Sequence, residues 1–250
     1  MKSILISTAV RLSYFSIEAV ADLVSEDTLD FGNLATKKTA LFCVTSNSDK
    51  TFDFISGMLY TQIIKELNYI ADKSEDGRLP FHVRMLFDEF CNVRIMTEHE
   101  YARVLSTCRG RNYSCTHAIQ SIGQLKGLYK DTWENLLGNC DTLIYLGGNE
   151  PSSHKMISDS YLGKATVAYD SYSKNQSGTS TNINILARDL MTQTEVRNLD
   201  QKQCFVFINN EKPVVDDKYD LMKHPNIGKA QQGGAKPYVF KSKTERRKTG

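Results

Sequence analysis

Short apolar runs alternate with longer segments of helical spacing in the first part of the chain. Residues 40–44 and 83–87 are short, mainly apolar runs, which is typical of buried strands. Between them, residues 51–70 carry apolar side chains at intervals of three and four, which predicts an amphipathic helix. Strands that alternate with helices predict an α/β fold, with a mostly parallel sheet and flanking helices.

The same alternation continues towards the carboxyl end. The polar segment 171–181, which is rich in Ser, Asn and Gly, predicts a mobile loop. Thr192 and Glu195 have the spacing of a capping box, and Pro151 suits the first turn of a helix. The remaining predicted elements are helices at 98–107 and 151–162 and strands at 114–119, 141–146 and 204–208.

Three predicted strands end in polar or glycine-rich corners, namely Asp88-Glu89, Gln120-Ser121 and Gly147-Gly148. Open parallel sheets bind ligands beyond the carboxyl ends of their strands, so we expect these corners along one edge. Two adjacent acids after an apolar strand have the form of a Walker B element, whose first acid holds Mg²⁺ and whose second orients or deprotonates the attacking water. Asp-Glu after a strand is also a common way to open a loop or helix, so the dipeptide alone does not define a catalytic site.

Gln120, Arg109 and Arg111 are further candidates for such chemistry. In RecA-class motors a strand-end amide senses the γ-phosphate, since an amide both donates and accepts hydrogen bonds. Arg109 and Arg111 lie between the predicted helix and strand, where a guanidinium could reach a neighbouring subunit and stabilise charge on the transferred phosphoryl group. The alternatives are a glutamine that only closes a strand and two solvated arginines in a loop.

A phosphate loop of the form Gly-x-x-x-x-Gly-Lys-Ser/Thr does not occur among the 250 residues. Gly163-Lys164 is followed by Ala165, and Gly228-Lys229 is followed by Ala230. The sequence therefore predicts one part of an ATPase, without the phosphate cradle.

Composition fits a cytosolic globular body, with 40% hydrophobic residues, 24% charged residues and a net charge of +2. The six cysteines form no C-x-x-C pair, which favours a reducing compartment, and the five histidines show no zinc-binding cluster. We expect no membrane-spanning helix. Residues 228–250 are basic and poor in apolar side chains, which predicts a disordered tail with affinity for polyanions or a solvated terminus without a role.

Taken together, the motifs resemble the carboxyl-terminal half of the type IV secretion coupling proteins, the TraG/TraD-like conjugative transfer ATPases. The similarity extends over about residues 30–226, and its central stretch is Leu86-Phe87-Asp88-Glu89-Phe90-Cys91-Asn92. The other matching stretches are residues 38–42, 58–62, 107–112, 119–121, 124–126, 129–131, 138–141, 146–150, 190–192 and 218–221.

This resemblance implies a hexameric, RecA-like P-loop NTPase motor at the cytoplasmic face of a bacterial membrane. Such a motor uses ATP and Mg²⁺ to transfer a relaxase bound to single-stranded DNA, together with other type IV secretion components. Asp88 would bind Mg²⁺ and nucleotide, Glu89 would be the catalytic carboxylate, and Gln120 would sense the γ-phosphate. Arg109 is the first choice for a finger acting in trans, and Arg111 the second.

The resemblance also predicts the domain organisation. Residues 1–35 correspond to the end of a helical insertion, 36–227 to the carboxyl-terminal half of the motor domain, and 228–250 to the basic tail. Membrane helices and a phosphate loop, which family members carry upstream, do not occur here, so the sequence leaves open whether the chain is an enzyme. The alternatives are a truncated motor without activity of its own and a non-enzymatic module that binds relaxase or DNA. A metal-dependent nuclease would need further carboxylates, and no pattern supplies them.

Overall fold

The structure is a computed structural model that describes residues 2–46, 50–175 and 178–237. The chain divides into two compact units, Met1–Cys140 and Asp141–Gly250. The predicted motor segment 36–227 therefore extends over parts of both units. Its assignment as a single domain stays a prediction.

The first unit contains a two-stranded parallel sheet and seven α-helices among its described residues. β1 and β2 pair in parallel, with Val83 opposite Tyr113 and Phe87 opposite His117. The strands are β1 (Val83–Phe87) and β2 (Tyr113–His117), and the helices are α1 (Lys2–Leu12), α2 (Glu18–Val24), α3 (Asn33–Thr36), α4 (Asp53–Lys73), α5 (Glu98–Cys108), α6 (Ile122–Tyr129) and α7 (Trp133–Gly138).

The core of the first unit forms where α4 packs its apolar stripe against the sheet and α5. Ile64, Leu67 and Ala71, at helical spacing on α4, are fully buried. Phe90 and Tyr129 stack with their ring centroids 5.5 Å apart. The predicted helices at 51–70 and 98–107 are confirmed as α4 and α5, and the second of these begins at a capping box from Thr97 to Glu100.

The second unit is built on antiparallel strands. β3, β6 and β7 form one sheet, and β4 pairs with β5 in another. Its core contains Tyr145, Ile157, Val196, Phe205 and Phe207. The strands are β3 (Thr142–Tyr145), β4 (Lys164–Asn175), β5 (Gly178–Asp189), β6 (Gln203–Ile208) and β7 (Val214–Asp217), and the helices are α8 (Pro151–Met156), extended by a π-helical turn at Ile157–Leu162, and α9 (Gln193–Arg197).

Three predictions of local structure are wrong. Residues 40–44 form no strand, and Phe42 and Val44 are 86% and 94% exposed because no described strand lies beside them. The predicted strand at 141–146 is β3, but it pairs antiparallel with β6, so β1 and β2 are the parallel pair among the described strands. An apolar run indicates that a strand is buried but carries no information about its direction.

The third error concerns residues 171–181, which were expected to be a loop. Their described members belong to β4 and β5, which pair from Lys164 opposite Asp189 to Asn175 opposite Gly178. Backbone hydrogen bonds hold such a ladder together whatever its side chains, so a polar composition did not exclude it. Residues 176–177 lie outside the described part.

The sequence predicts helices at the amino-terminal end of the chain and disorder at the carboxyl-terminal end. The first 36 residues contain α1, α2 and α3, and that they end a helical insertion stays a prediction. Residues 228–237 include parts of two 3₁₀ turns, Ile227–Lys229 and Gln231–Gly233, whereas most of the predicted tail, 238–250, lies outside the described residues. Within the described ranges, no helix combines the length and apolar character needed to cross a bilayer.

Candidate functional site: the acidic edge of the parallel sheet

The carboxyl ends of β1 and β2 lie side by side and are joined beyond the strands themselves. Ala118 donates its N–H to the carbonyl of Phe87, and Phe90 donates its N–H to the carbonyl of Ala118, both at 2.9 Å. Asp88 and Glu89 leave β1 between these two hydrogen bonds. Because both strands end here, the acids and the segment that leads to Gln120 share one edge of the sheet, which we call the acidic edge.

Glu89 has an uncommon backbone conformation for a residue other than glycine. Its φ and ψ are 48° and 46°, in the left-handed region, where the Cβ atom crowds the following carbonyl. Its N–H donates to Oδ1 of Asp88 at 3.1 Å, and Asn92 donates from Nδ2 to Oε2 of Glu89 at 2.6 Å. The half-buried Glu89 carboxylate is therefore held in place by its own turn.

Replacing Glu89 with glycine is expected to stabilise the fold, because glycine adopts the left-handed conformation without steric cost. Glu89→Ala removes the same side-chain contacts and keeps the crowding. We expect the free energy of unfolding, measured by urea denaturation, to be about 1 kcal/mol higher for Glu89→Gly than for Glu89→Ala. Equal values for the two variants would show that this backbone conformation carries no strain.

A cavity of about 310 Å³ opens beside the acidic pair in the first unit. It is lined by residues 86–90 and, among others, by residues 43–45 and Tyr60. Burial, followed by a hydrogen bond with Cys43, raises the pKa of Tyr60 well above its usual range, so its hydroxyl stays protonated. Asp88 and Glu89 thus face a space large enough for a small polar ligand.

Gln120 lies on the acidic edge but outside the lining of this cavity. β2 ends at His117, three residues before Gln120, whose side chain is exposed. Its Oε1 accepts a hydrogen bond of 3.3 Å from Nε2 of Gln124, and Ser121 caps α6 by accepting the N–H of Gln124. Gln120 is therefore placed by the start of α6, and its amide nitrogen has no hydrogen bond to the described part of the protein.

The two candidate arginines, Arg109 and Arg111, differ in their contacts. Arg111 donates from Nη1 to the carbonyl of Asn68 at 3.0 Å and to Oδ1 of Asp72 at 2.5 Å, so it is tied to α4. Arg109, after the end of α5, is exposed and forms no ion pair with the described residues. Both precede β2, at the end of the sheet opposite to Asp88, Glu89 and Gln120. Arg109 is thus away from the acidic edge of its own chain.

Sequence reasoning missed His117, which lies under the acidic edge. Its ring stacks on Phe87 with a centroid distance of 5.6 Å and meets the edge of Phe90 at 4.4 Å. Nε2 forms a hydrogen bond of 2.6 Å with the hydroxyl of Tyr101, which is completely buried. Burial lowers the pKa of His117 to about 4, so the ring is neutral at pH 7. The position of His117 in a strand, in line with buried Tyr113, is the feature that could have indicated a packed ring.

Asn92 is a second residue that sequence reasoning did not single out. It lies on the 3₁₀ turn Phe90–Asn92 and donates both to the carbonyl and to the carboxylate of Glu89. It therefore fixes the Glu89 side chain, and it also lines the cavity beside the acidic pair. Its place three residues after the acid, within the matching stretch 86–92, is consistent with this contact.

The chemistry of these donors fits Mg²⁺, which proteins hold through one or two carboxylates together with phosphate oxygens. Asp88 is exposed and lines the cavity, and its Oδ2 accepts no hydrogen bond from the residues that the structure describes. In the described residues no group of three or more His, Cys, Asp or Glu side chains could hold a metal ion without such phosphates. Asp88 therefore suits a metal that arrives with its nucleotide.

Comparison with known proteins gives the family. The sequence profile of the family "Type IV secretory system Conjugative DNA transfer" matches residues 1–244. The chain belongs to this family. A comparison with curated proteins found no significant match.

Solved structures of the bacterial conjugative coupling protein TrwB have a similar fold. The unbound form has 19% sequence identity and a TM-score of 0.54, over 70% of this chain and 40% of TrwB. The complex with the ATP analogue ADPNP has 16% identity and a TM-score of 0.52, over 70% of this chain and 39% of that one. These similarities confirm the predicted RecA-like α/β class. The chain therefore spans about 40% of the length of the TrwB chain.

Proposed function

We propose that the chain is the carboxyl-terminal part of an ATP-driven motor that transfers DNA and its bound relaxase through a type IV secretion system. The observation that carries this proposal is the acidic pair, Asp88-Glu89, held at the carboxyl end of β1 and facing a cavity. Membership of the conjugative DNA transfer family and the nucleotide complexes of TrwB support it. One of those complexes contains ADP and Mg²⁺, with a TM-score of 0.50 to this chain.

In this proposal each side chain has a role that its surroundings allow. Asp88 contributes the oxygen that holds Mg²⁺, which neutralises charge on the phosphates. Glu89, aligned by Asn92, orients the attacking water and accepts its proton. Gln120 senses the γ-phosphate with its free amide N–H groups. Arg109, which is exposed and remote from its own acidic edge, acts on the site of a neighbouring subunit in a hexamer, and Arg111 does not because Asp72 holds it.

Phosphoryl transfer depends mainly on positioning and charge neutralisation, and these 250 residues contain no phosphate loop. The chain alone is therefore expected to turn over ATP at the background rate, while a longer protein that includes a phosphate loop hydrolyses it. Phosphate release from both proteins, measured side by side, tests the proposal. Motor-like turnover by the chain alone would contradict it. The complete protein would act at the cytoplasmic face of a bacterial membrane.

The second candidate function, a binding module for relaxase or DNA without catalysis, is favoured by the charge of the carboxyl end. Seven basic residues and one acidic residue follow His224, and the basic ones are Lys229, Lys236, Lys241, Lys243, Arg246, Arg247 and Lys248. Binding that depends on such charges releases counterions from the phosphates and weakens steeply with salt.

Removal of residues 229–250 is expected to weaken binding to a single-stranded oligonucleotide and to flatten its dependence on salt. If about four of the seven cations contact phosphates, the logarithmic slope against salt becomes less steep by about 3. Fluorescence anisotropy between low and physiological salt measures both quantities. A chain in which only Lys202 and Lys212, outside the tail, are replaced by glutamine is the control. Unchanged binding after truncation would remove the tail from the DNA interface.

A further inference from the structure

A serine, a histidine and an asparagine meet at the amino-terminal end of the parallel sheet, opposite to the acidic edge. His82 directly precedes β1, Asn112 directly precedes β2, and Ser114 is the second residue of β2. Nε2 of His82 lies 3.0 Å from Oγ of Ser114, and Nδ1 of His82 lies 3.2 Å from Oδ1 of Asn112. The imidazole therefore joins the hydroxyl to the amide through its two ring nitrogens.

The direction of these hydrogen bonds follows from a neighbouring carbonyl group. Asn112 donates from Nδ2 to the carbonyl of Leu79 at 2.9 Å, and a carbonyl oxygen can only accept. The amide atom beside His82 is therefore Oδ1, which accepts a hydrogen bond from Nδ1. A neutral imidazole that donates from Nδ1 accepts at Nε2, so the hydroxyl of Ser114 donates to His82.

Backbone hydrogen bonds hold the three side chains in this arrangement. Leu79 and Val83 donate their N–H groups to the carbonyls of Arg111 and Asn112, at 3.0 and 3.3 Å. These bonds fix the segment that carries His82 against the turn that leads into β2. The φ of Asn112 is 66°, in the left-handed region that asparagine adopts more readily than most other residues.

A serine that donates to a histidine, itself oriented by a third group, has the geometry of a nucleophile with its general base. His82 is exposed and Ser114 is half-buried, so a small molecule can approach both from solvent. Arg84 lies opposite Ser114 in the register of β1 and β2, and paired residues share one face of a sheet. The exposed Arg84 guanidinium is thus placed to stabilise negative charge that develops on a substrate at this face.

We propose that Ser114, His82 and Asn112 form an acyl-transfer site that hydrolyses small carboxylic esters. The Ser114 oxygen bonds to the carbonyl carbon while its proton passes to Nε2 of His82. The bond to the alcohol then breaks, and the alcohol takes that proton and leaves an acyl-serine. Water gives a proton to His82 and attacks the acyl-serine, the carboxylic acid leaves, and the proton returns to Ser114. Asn112 is a positioning residue, which keeps His82 in the tautomer that accepts at Nε2.

Labelling of the purified chain with a biotinylated fluorophosphonate tests the proposal. The serine oxygen of such a site bonds to phosphorus, and fluoride leaves. Trypsin cleaves after Arg111 and Lys126, so Ser114 lies in the peptide 112–126, and fragmentation of this peptide locates the modified residue. We expect one phosphonyl group, on Ser114, in the folded chain and none in the chain unfolded in urea. The folded chain should also release p-nitrophenolate from p-nitrophenyl acetate, and Ser114→Ala should not. Neither reaction needs nucleotide, so both are independent of the proposed motor function.

Variants of the base and of the positioning residue separate their roles. His82→Gln is expected to slow the labelling of Ser114 by about 100-fold or more, because glutamine does not accept the proton. Asn112→Gly suits the left-handed backbone but removes the amide, so labelling should slow by about 10-fold or more. Asn112→Asp again offers an acceptor to Nδ1 of His82 and should restore most of the rate. Both variants lose the hydrogen bond to Leu79, so the difference between them reports the contact with His82.

Ser106→Ala, at an exposed serine of α5 that contacts the carbonyl of Arg103, is the control and should be labelled at the unchanged rate. Circular dichroism verifies that each variant is folded. Three results would overturn the proposal: no label on Ser114, a label on Cys115 instead, or equal labelling rates of Ser114 in the unsubstituted chain and His82→Gln. Equal rates for Asn112→Gly and Asn112→Asp would remove Asn112 from the site.

Discussion

Glu89→Gln in a longer protein that includes a phosphate loop is expected to lower kcat for ATP hydrolysis by about 100-fold or more. Glutamine has nearly the same shape and can still accept the hydrogen bond from Asn92, but it cannot take a proton from the attacking water. In the proposed mechanism nucleotide binding depends mainly on Asp88, Mg²⁺ and the phosphate loop, so we expect the dissociation constant for ATP to change little. Steady-state phosphate release gives kcat, and titration with a fluorescent ATP analogue gives the dissociation constant.

A mixing experiment extends this prediction to Arg109. A guanidinium that acts in trans contributes on the order of 1,000-fold to turnover, so Arg109→Ala should also be inactive alone. When Glu89→Gln and Arg109→Ala subunits are mixed equally, random assembly combines an intact Glu89 with an intact neighbouring Arg109 at about a quarter of the sites, and that share of activity should return. Arg111→Ala is the matched control, because its partner is Asp72 of the same chain.

Two results would contradict this mechanism. Full turnover of the Glu89→Gln protein would exclude Glu89 as the group that accepts the proton. Failure of the mixed subunits to recover activity, under conditions where unsubstituted subunits exchange and remain active, would exclude Arg109 as a residue that acts in trans.

Acidification from pH 7 to pH 5 is expected to destabilise the protein through His117. The pKa of His117 is about 4 in the folded protein and about 6.5 in an unfolded chain. Between these values the unfolded state binds a proton that the folded state does not, so the free energy of unfolding falls as the pH falls. Through His117, the free energy of unfolding falls by about 2 kcal/mol between pH 7 and pH 5. The loss approaches about 3 kcal/mol near pH 4.

His117→Gln isolates this contribution, since glutamine offers Tyr101 a hydrogen-bond acceptor but does not titrate. We expect the variant to be less stable at pH 7, because it loses the ring contacts with Phe87 and Phe90. Between pH 7 and pH 5 its free energy of unfolding should fall by about 2 kcal/mol less than that of the unsubstituted protein. Urea denaturation at pH 7, 6 and 5 measures the difference. His99→Gln, at an exposed histidine of α5, is the control. Parallel pH profiles for the unsubstituted protein and His117→Gln would contradict the burial of a neutral ring.

The interpretation of the acidic pair followed from the sequence because its evidence is local. The sequence alone shows an apolar strand, the two acids that follow it and a series of short matching motifs. These features led to the family that the sequence profile confirms. The helices at 51–70 and 98–107 were predictable for the same reason, since helical periodicity and capping depend on residues within a few positions. The roles of Asp88, Glu89 and Gln120 stay predictions.

The features that sequence reasoning missed depend on residues far apart in the chain. Whether residues 40–44 form a strand depends on a neighbour to pair with, and the direction of β3 depends on β6, about 60 residues later. The difference between Arg109 and Arg111 rests on Asp72, and the neutral state of His117 on Tyr101, Phe87 and Phe90. The sequence by itself determined the family, the helices and the acidic pair. Only the tertiary structure decided strand direction, the contacts of the arginines and the burial of His117, because pairing, ion pairs and desolvation all require distant residues to meet.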